Sequence, residues 1–569
     1  MTSGNEFELI ARGGSGIFSI AYKMKEDIKT ISGNIVDVLN SETYPGTLKI
    51  SNGRIVDIIR DHRRYDTFII PGFIDAHVHI ESSMLTPSEF ARLAVIHGTV
   101  ATVSDPHEIA NVLGIDGVNY MIQDGEKVPF KFYFGAPSCV PATRFETAGA
   151  ELGPEAVESL LKQNEIRFLS EVMNYPGVIH EDPEVMAKIA LAKKYKKRID
   201  GHAPGVKGEM LEKYVSAGIE TDHETIGKDE ALEKLKLGMK LHIREGSAAK
   251  NFDTLSFAID EYNDKSMLCS DDKHPDDLVE GQINELVKRT LALGYDKMKV
   301  LKCACVNPVK HYGLDVGLLQ KGDWADFLVI DNFEDFNILA TYINGEKVAE
   351  NGKTLLSRVS SDVVNYFDAQ KKGTSDLQVE KAGDIINIIE AIDGQVMTGK
   401  SKERPRVENG FAVSDTNRDI LKIAVVNRYQ DVRPALGFVK NFGLKKGAIA
   451  ASVAHDSHNV VAVGVSDEDI CRAVNRVIEN KGGLAVVDDN FVETLALPVA
   501  GLMSNEDGFE VAKAYAHLDG RAKALGSTLK TPFMTLSFMA LLVIPQLKLS
   551  DKGLFDGEGF QFIDLFERG

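Results

Sequence analysis

Residues 69–83, IIPGFIDAHVHIESS, decide the fold of this chain. Apolar and polar residues alternate here as in a β-strand, whose successive side chains point to opposite faces. His77 and His79 are two residues apart, so a strand would direct both imidazoles to the same face. Two ligands of one metal ion require that arrangement. The motif therefore predicts a strand that binds metal.

Four further candidate ligands follow, each where a short apolar run gives way to Gly, Asn, Pro or charged residues. They are Glu171 in RFLSEVMN, His202 in RIDGHAPG, His223 in GIETDHET and Asp271 in SMLCSDDKHP. A lone histidine on an apolar run is more often a buried structural residue than a ligand. Six such residues, all at the ends of strand-like runs, instead predict a two-metal hydrolase site.

Strand-like and helical segments alternate around these residues. Eight strand-like runs lie between residues 68 and 271, and the segments TPSE (86–89) and DPHE (105–108) have the N-cap, proline and glutamate of a helix start. This reading explains Asp105 as an N-cap. The size and rhythm predict an α/β fold, a metal-dependent (β/α)8 barrel over residues 71–315 with its active site at the C-terminal strand ends. The six candidate ligands fall at those ends.

The segments that flank the predicted barrel have a different pattern. Residues 31–69 and 322–353 both contain short β-branched runs broken by turn residues such as Asn-Gly. They predict one small, discontinuous β-sandwich domain built from residues 1–70 and 316–365. Beyond residue 365, β-rich runs alternate with helical segments, which predicts a C-terminal α+β domain over residues 366–569.

Charge and composition restrict the partners. The 569-residue chain carries a net charge of −19, which argues against nucleic acid and favours a small neutral substrate. The N-terminus lacks the apolar core of a secretory signal, and FMTLSFMALLVI is too short to span a membrane. Five irregularly spaced cysteines suit reduced thiols. We expect a cytoplasmic homodimer or higher homo-oligomer with no nucleic-acid or membrane partner.

The ligand types indicate the chemistry. Nitrogen and oxygen donors without thiolate suit Zn, Mn or Fe, and two such ions can share a carboxylate and a hydroxide. Glu171 is the natural bridge, and Asp271 could accept the proton of the nucleophilic water and pass it to the leaving group. Asp272 is better explained as a residue that orients a neighbour or caps the next helix.

The sequence also resembles a known family. PGFIDAHVH, followed by a carboxylate, two histidines and an aspartate on later strands, is similar to the amidohydrolase superfamily. HVHIESSMLTPSEFARLAVIHGTVATVSDPHEIANVLG (77–114) and GAIAASVAHDSHNVVAVG (447–464) resemble bacterial and archaeal adenine deaminases, over nearly the whole chain from residue 30.

The resemblance implies that adenine and water give hypoxanthine and ammonia by attack at C6. It implies two divalent metal ions (Mn, Fe or Zn) and assigns metal binding and proton transfer to six residues: His77, His79, Glu171, His202, His223 and Asp271. Of these, Glu171, His223 and Asp271 are the candidate catalytic residues.

Two rival functions fit these residues less well, and one segment has two possible interpretations. Cyclic-amide hydrolases bridge their metals with a carboxylated lysine, whereas the fourth strand here offers Glu171. A non-catalytic scaffold should have lost ligands, and all six are present. The HDSHN segment, residues 455–459, could form a tight structural turn or reach the barrel mouth as a lid, and both readings stay open. The candidate substrate or lid residues are Arg244, His455 and His458.

Overall fold

Eight parallel strands occupy the region where the sequence predicts strand–helix repeats. In the computed structural model, which describes residues 28–567, all eight predicted strands are present. Five form one curled parallel sheet and three form a second, each sheet following chain order. The strands are Phe73–Val78, Thr99–Ser104, Lys131–Ala136, Ile166–Val172 and Arg198–Gly201, then Thr221–Asp222, Lys240–Arg244 and Ser266–Cys269.

These strands are buried on both faces because helices pack around them, which explains their continuous apolar runs. Thr86 occupies the N-cap position of the first helix and Pro87 follows it, as predicted. The next helix begins at His107 with Pro106 at the cap position, so Asp105 lies one residue before the position predicted for it. The helices of this region are Pro87–Ala94, His107–Leu113, Ile115–Gly125, Pro154–Leu161, Tyr175–Ile179, Pro183–Lys194, Gly208–Ser216, Lys228–Lys236, Phe252–Leu255, Phe257–Glu261, Pro275–Glu280, Ile283–Ala292, Lys297–Leu301 and Asn307–Tyr312.

A separate eight-stranded sheet combines segments from before and after the parallel strands. Its order is Lys353–Thr354, Glu346–Glu350, Ile338–Ile343, Phe327–Ile330, Phe68–Pro71, Lys29–Asp37, Glu42–Ser51 and Arg54–Arg60. All neighbouring pairs are antiparallel except Lys29–Asp37 with Phe68–Pro71, which is parallel. Residues 1–27 of the predicted first domain lie outside the described residues.

Gly72 marks the point where the chain leaves this sheet for the parallel one. The predicted run FIIPGFIDAHVH is therefore two strands, Phe68–Pro71 and Phe73–Val78, in different sheets. A Cβ atom added at Gly72 would lie 2.5 Å from the Val100 side chain. Glycine allows the two sheets to approach closely here.

The C-terminal region contains a second eight-stranded sheet. Its order is Thr398–Glu403, Ile386–Ala391, Ala435–Lys440, Ile420–Val426, Val460–Gly464, Ala448–Ala451, Gly483–Asp488 and Phe491–Ala496. Helix Asp467–Glu479 packs its apolar face on this sheet. Helices Gly508–Ala524 and Pro532–Ser537 follow, and the short strands Val379–Glu380, Arg406–Glu408, Phe411–Val413, Leu547–Ser550, Gly553–Asp556 and Gln561–Phe562 form two small sheets. Within residues 28–567, no helix has the length and apolar character that a membrane span requires.

Candidate active site

A pocket of about 400 Å³ contains most of the predicted site residues. One side consists of polar residues at or just after the ends of the parallel strands: His79, His107, Glu108, Glu171, His202, His223, Glu224, Asp271 and Asp272. Met173 lies beside them, and the C-terminal region supplies the other side through Val396, His455, Asp456, Phe538, Leu541, Val543 and Ile544. Two distant parts of the chain therefore enclose one pocket.

The first group of converging ligand atoms belongs to His77, His79 and Asp271. The Nε2 atoms of the two histidines are 3.2 Å apart, and Asp271 Oδ1 lies 3.6 Å from the first and 3.3 Å from the second. Burial, and then the neighbouring histidines, hold the pKa of His77 well below its usual range. A neutral imidazole is the form that binds a metal ion.

The second group belongs to Glu171, His202 and His223. Glu171 Oε2 lies 2.7 Å from His202 Nδ1 and 3.0 Å from His223 Nε2, while its other oxygen lies 3.2 Å from His79 Nε2. Burial disfavours the charged form of His223, but the Glu171 carboxylate outweighs it and raises the pKa of His223 to about 9. The carboxylate of Glu171 thus faces both groups of donors.

The donor set fits divalent metal ions. In each of the two groups, one ligand atom per residue lies within 4.8 Å of the others. All the donors are imidazole nitrogens or carboxylate oxygens, which suit Zn, Mn or Fe. These six residues could hold two ions with Glu171 between them.

Asp271 is held in a specific orientation by backbone and side-chain contacts. Its N–H donates to the His77 carbonyl oxygen at 2.9 Å, and its φ of 57° lies in the left-handed region, which is sparsely populated by residues other than glycine. The Arg244 guanidinium donates to Asp271 Oδ2. Burial disfavours ionisation, but Arg244 and then His79 hold the pKa of Asp271 well below its usual range. The carboxylate is therefore ionised.

Arg244 lies behind Asp271 and is not among the residues that line the pocket. Its guanidinium is paired with Glu224 at 2.6 and 2.8 Å, and both partners are buried. Two carboxylate partners thus hold the guanidinium behind Asp271, away from the pocket lining. Asp272 lines the pocket and accepts a hydrogen bond from Ser82 Oγ at 2.5 Å. Helix Pro275–Glu280 has His274 at its cap position, so Asp272 does not cap it.

His107 and Glu108 line the pocket, although the DPHE pattern predicts only the start of a helix there. His107 Nδ1 lies 3.2 Å from Asp105 Oδ2 and 3.5 Å from Glu171 Oε1. Helix His107–Leu113 follows directly on strand Thr99–Ser104, so its first residues face the other strand ends. Two ionisable residues immediately after a predicted barrel strand were the signal that could have identified them.

The HDSHN segment reaches the same pocket from the C-terminal sheet. His455 Nδ1 contacts Glu108 Oε1, and His458 Nε2 lies 2.5 Å from Glu108 Oε2. The segment is also fixed from behind, because Tyr429 donates from its hydroxyl to the Ser457 carbonyl oxygen at 2.7 Å. His455 lines the pocket, whereas His458 lies one layer further back. The segment is both a tightly held turn and part of the pocket.

Comparisons with known proteins identify the family of this chain. A profile of the amidohydrolase family matches residues 68–348, and one of the adenine deaminase C-terminal domain matches residues 395–561. The chain is 56% identical to an adenine deaminase of Sulfurovum sp. (strain NBC37-1), over 95% of this chain and 100% of that protein. It is 54% identical to that of Salinibacter ruber (94% and 99% covered) and 52% identical to that of Methanosarcina barkeri (95% and 100%). The chain therefore belongs to the adenine deaminase family.

Proposed function

We propose that this protein hydrolyses adenine to hypoxanthine and ammonia at a site with two divalent metal ions. The observation that carries the proposal is the position of Glu171, whose two oxygens face separate groups of ligand atoms. Family membership supports adenine as the substrate. Water replaces the exocyclic amine at C6, so the oxygen of hypoxanthine comes from water and the amine leaves as ammonia.

In this proposal His77, His79 and Asp271 would hold one ion, His202 and His223 would hold the other, and Glu171 would be available to both. Divalent ions bound there would lower the pKa of a water molecule and make it a nucleophile near neutral pH. The ions would be Mn, Fe or Zn. The absence of thiolate from the donor set favours these three over softer metals.

Asp271 would move the proton between the water and the leaving amine. Arg244 donates to Asp271 Oδ2 and favours the ionised carboxylate, which is the form that can accept a proton. Once protonated, Asp271 would release the proton to the leaving amine. Arg244 is thus a positioning residue for Asp271. Glu171 and His223 would complete the catalytic set by holding the metal ions against the reacting water.

We also propose that the two parallel sheets form one closed (β/α)8 barrel. A parallel bridge between Val78 and Asp271 joins the segments that carry the first and last ligands. At the other gap, the Glu220 N–H donates to the Ile199 carbonyl oxygen at 3.0 Å. We propose domains at residues 1–70 with 316–365, 71–315 and 366–569.

The C-terminal domain would enclose the base. Val396, Phe538 and Leu541 give the pocket an apolar wall opposite the proposed ligands, and a purine ring could pack against it. His455 and His458 would hold this side in place through Glu108 and thereby limit the access of water.

The remaining proposals concern compartment and assembly. All five cysteines are buried and unpaired, which supports a reducing compartment such as cytoplasm. The net charge of −19 supports a small-molecule substrate and no nucleic-acid partner. A homodimer or higher homo-oligomer remains a prediction, and sedimentation of the purified protein would measure it.

The central test is ammonia release from adenine, adenosine and 6-substituted purines, with metal analysis of the same sample. We expect turnover of adenine, no turnover of adenosine, and two metal ions per chain in active preparations. Strong adenosine turnover without adenine turnover would contradict the assigned substrate. Full activity with fewer than two ions per chain would contradict the binuclear site.

A further inference from the structure

A buried lysine lies behind two of the proposed metal ligands. Lys234, in helix Lys228–Lys236, has no exposed surface. Its ammonium group donates to the Ala203 carbonyl oxygen at 2.8 Å and to Asp222 Oδ2 at 2.9 Å. It also lies 3.1 Å from Thr225 Oγ1 and 2.7 Å from Glu230 Oε1. All these partners lie within 31 residues of it in the chain, yet they belong to two different strand ends and the helix itself.

The partners of Lys234 also bind one another. Asp222 Oδ1 accepts a hydrogen bond from the Ala203 N–H at 2.8 Å, and Asp222 Oδ2 accepts one from the Thr225 hydroxyl at 2.5 Å. Glu230 Oε1 accepts a bond from the Gly205 N–H at 3.0 Å. These bonds tie the loop after strand Arg198–Gly201 to the loop after strand Thr221–Asp222.

Both tied loops carry a proposed ligand. His202 directly precedes Ala203, and His223 directly follows Asp222. The two histidines contact the same oxygen of Glu171, at 2.7 and 3.0 Å. A change in the distance between the loops would therefore move the histidines apart and alter the shape of the second ligand group.

A main-chain hydrogen bond from the Glu220 N–H to the Ile199 carbonyl oxygen links the two strands at this gap, but they are not paired as neighbours in one sheet. Strand Arg198–Gly201 is the last of the five-stranded sheet, and Thr221–Asp222 is the first of the three-stranded one. Thr221–Asp222 has only two residues and pairs with the following strand through both of them. Side-chain contacts therefore contribute to the alignment of the two loops, and the Lys234 cluster supplies several of them.

We propose that Lys234, together with Asp222, is a positioning element that sets the separation of His202 and His223 and thereby the affinity for the second metal ion. This inference rests on the proposed function, because it assigns a role in the same binuclear site. A buried charge pair could alternatively stabilise the fold alone, as many do. The two roles differ in what they do to metal binding relative to stability.

The variants are Lys234→Met, Asp222→Asn and a matched control, Lys422→Met. Asp222→Asn keeps an oxygen for the Ala203 N–H but removes the negative charge that faces Lys234. Lys422 is a buried lysine of the C-terminal sheet, bound to the Leu377 carbonyl oxygen at 2.9 Å and to Asp467. It lies outside both ligand groups, so its loss should lower stability without changing metal affinity.

The measurements on each full-length protein are Zn²⁺ affinity and stoichiometry by competition with a chromophoric chelator, and the melting temperature without metal. We expect Lys234→Met to retain one tightly bound ion and to lose about 10–100-fold in affinity for the second, the range found for residues that support metal ligands. Asp222→Asn should show a smaller loss of the same kind. An excess of the metal found in active wild-type protein should restore adenine turnover in both.

Equal Zn²⁺ binding by Lys234→Met and the wild-type protein would overturn the inference. A loss in Lys422→Met equal to that in Lys234→Met would do the same, because it would show a general effect of instability. If Lys234→Met does not fold, Asp222→Asn decides by the same measurements. Wild-type protein that turns over adenine with two ions while both variants bind Zn²⁺ normally would leave the proposed function intact. Wild-type protein without Zn²⁺ binding would overturn both.

Discussion

The two sides of the pocket differ in origin and in chemistry. The side formed by the parallel strands carries charged and metal-ligating groups, and sheet geometry fixes its side chains, as for Glu171 in strand Ile166–Val172. The side formed by the C-terminal region is mainly apolar and comes from connecting segments such as Val543 and Ile544. The proposed reactive groups thus lie in or directly after the parallel strands, whereas the apolar side lies on connecting segments further from any strand, which tolerate change more readily.

Glu108 joins the two sides. It belongs to the helix after the second parallel strand, and both His455 and His458 contact its carboxylate. Burial opposes its ionisation, but the three neighbouring histidines, led by His455, hold the pKa of Glu108 well below its usual range. One buried charge therefore couples the strand ends to the C-terminal region, and variants on each side can test how different their roles are.

The largest effect should come from the strand-end side. Glu171→Gln removes a charge that faces both groups of ligands, so metal and activity should be lost together. The loss of metal affinity should exceed the roughly 100-fold cost of removing a supporting contact. Metal analysis and ammonia release measure both. Glu89→Gln is the matched control, since Glu89 is a buried carboxylate that pairs with Arg92 at 2.5 Å and lies outside the two groups.

If Glu171→Gln kept its metal and near-normal turnover, Glu171 would not bridge the ions. If Glu89→Gln lost metal to the same extent, the effect would reflect the loss of any buried carboxylate.

A smaller effect is expected from Asp271→Asn. The amide keeps an oxygen for metal binding but cannot accept a proton, so kcat should fall by about 10²–10⁴-fold while KM changes little. Steady-state kinetics with adenine, on protein of known metal content, measure the two constants. An unchanged kcat with a raised KM would assign Asp271 to binding instead.

Changes on the C-terminal side should leave the metal in place. His455→Ala and His458→Ala each remove a buried contact to the charged Glu108, and bonds to charged groups contribute about 1.5–3 kcal/mol. We expect kcat/KM for adenine to fall by about 10–100-fold at full metal content. His517→Ala serves as the control, because His517 lies on an exposed part of the same region. Wild-type kcat/KM in both variants would make the segment purely structural.

The smallest effect concerns the support of the apolar wall. Lys548 is buried and donates to the carbonyl oxygens of Val396 and Phe538, at 2.7 and 2.9 Å, both residues of that wall. Burial lowers the pKa of Lys548 to about 7, whereas a lysine in an unfolded chain titrates near 10.4. Between these values the unfolded chain binds more protons, so this group makes stability rise with pH.

Lys548→Met should remove that contribution. Between pH 7 and 9, the free energy of unfolding of the wild-type protein should gain about 2 kcal/mol over that of the variant. Urea titrations of both proteins at several pH values measure the difference. Parallel pH profiles for the two proteins would show that Lys548 titrates normally in the folded state.

Strand positions and proposed ligands could be predicted because periodicity and function coincide there. Short apolar runs that end at polar or turn residues identified all eight parallel strands, and the six candidate ligands stood at the ends of five of them. His107 and Glu108 were missed because DPHE has the features of an ordinary helix start, and one motif served both purposes. Glu224 was missed because TDHE already offered His223 as the functional residue.

The apolar wall could not be predicted from local pattern. Phe538 and Leu541 lie in FMTLSFMALLVI, which has no period that separates pocket from core. Val396 lies far from them in sequence, and only tertiary packing brings it to the same wall. The proposed role of Lys234 could not be predicted either, because a lysine in a charged helix such as KDEALEKLK normally faces solvent.

The composite sheet has a consequence for the order of synthesis. Strand Phe68–Pro71 pairs with Lys29–Asp37, which leaves the ribosome before it, and with Phe327–Ile330, which leaves long afterwards. One edge of Phe68–Pro71 therefore stays unpaired while the intervening chain is made, and such edges favour aggregation. Asp271, the last proposed ligand, is synthesised before Phe327, so every residue of the metal centre is available when this sheet can close. A nascent chain that stalls before Phe327 would leave this edge exposed to pairing with other chains.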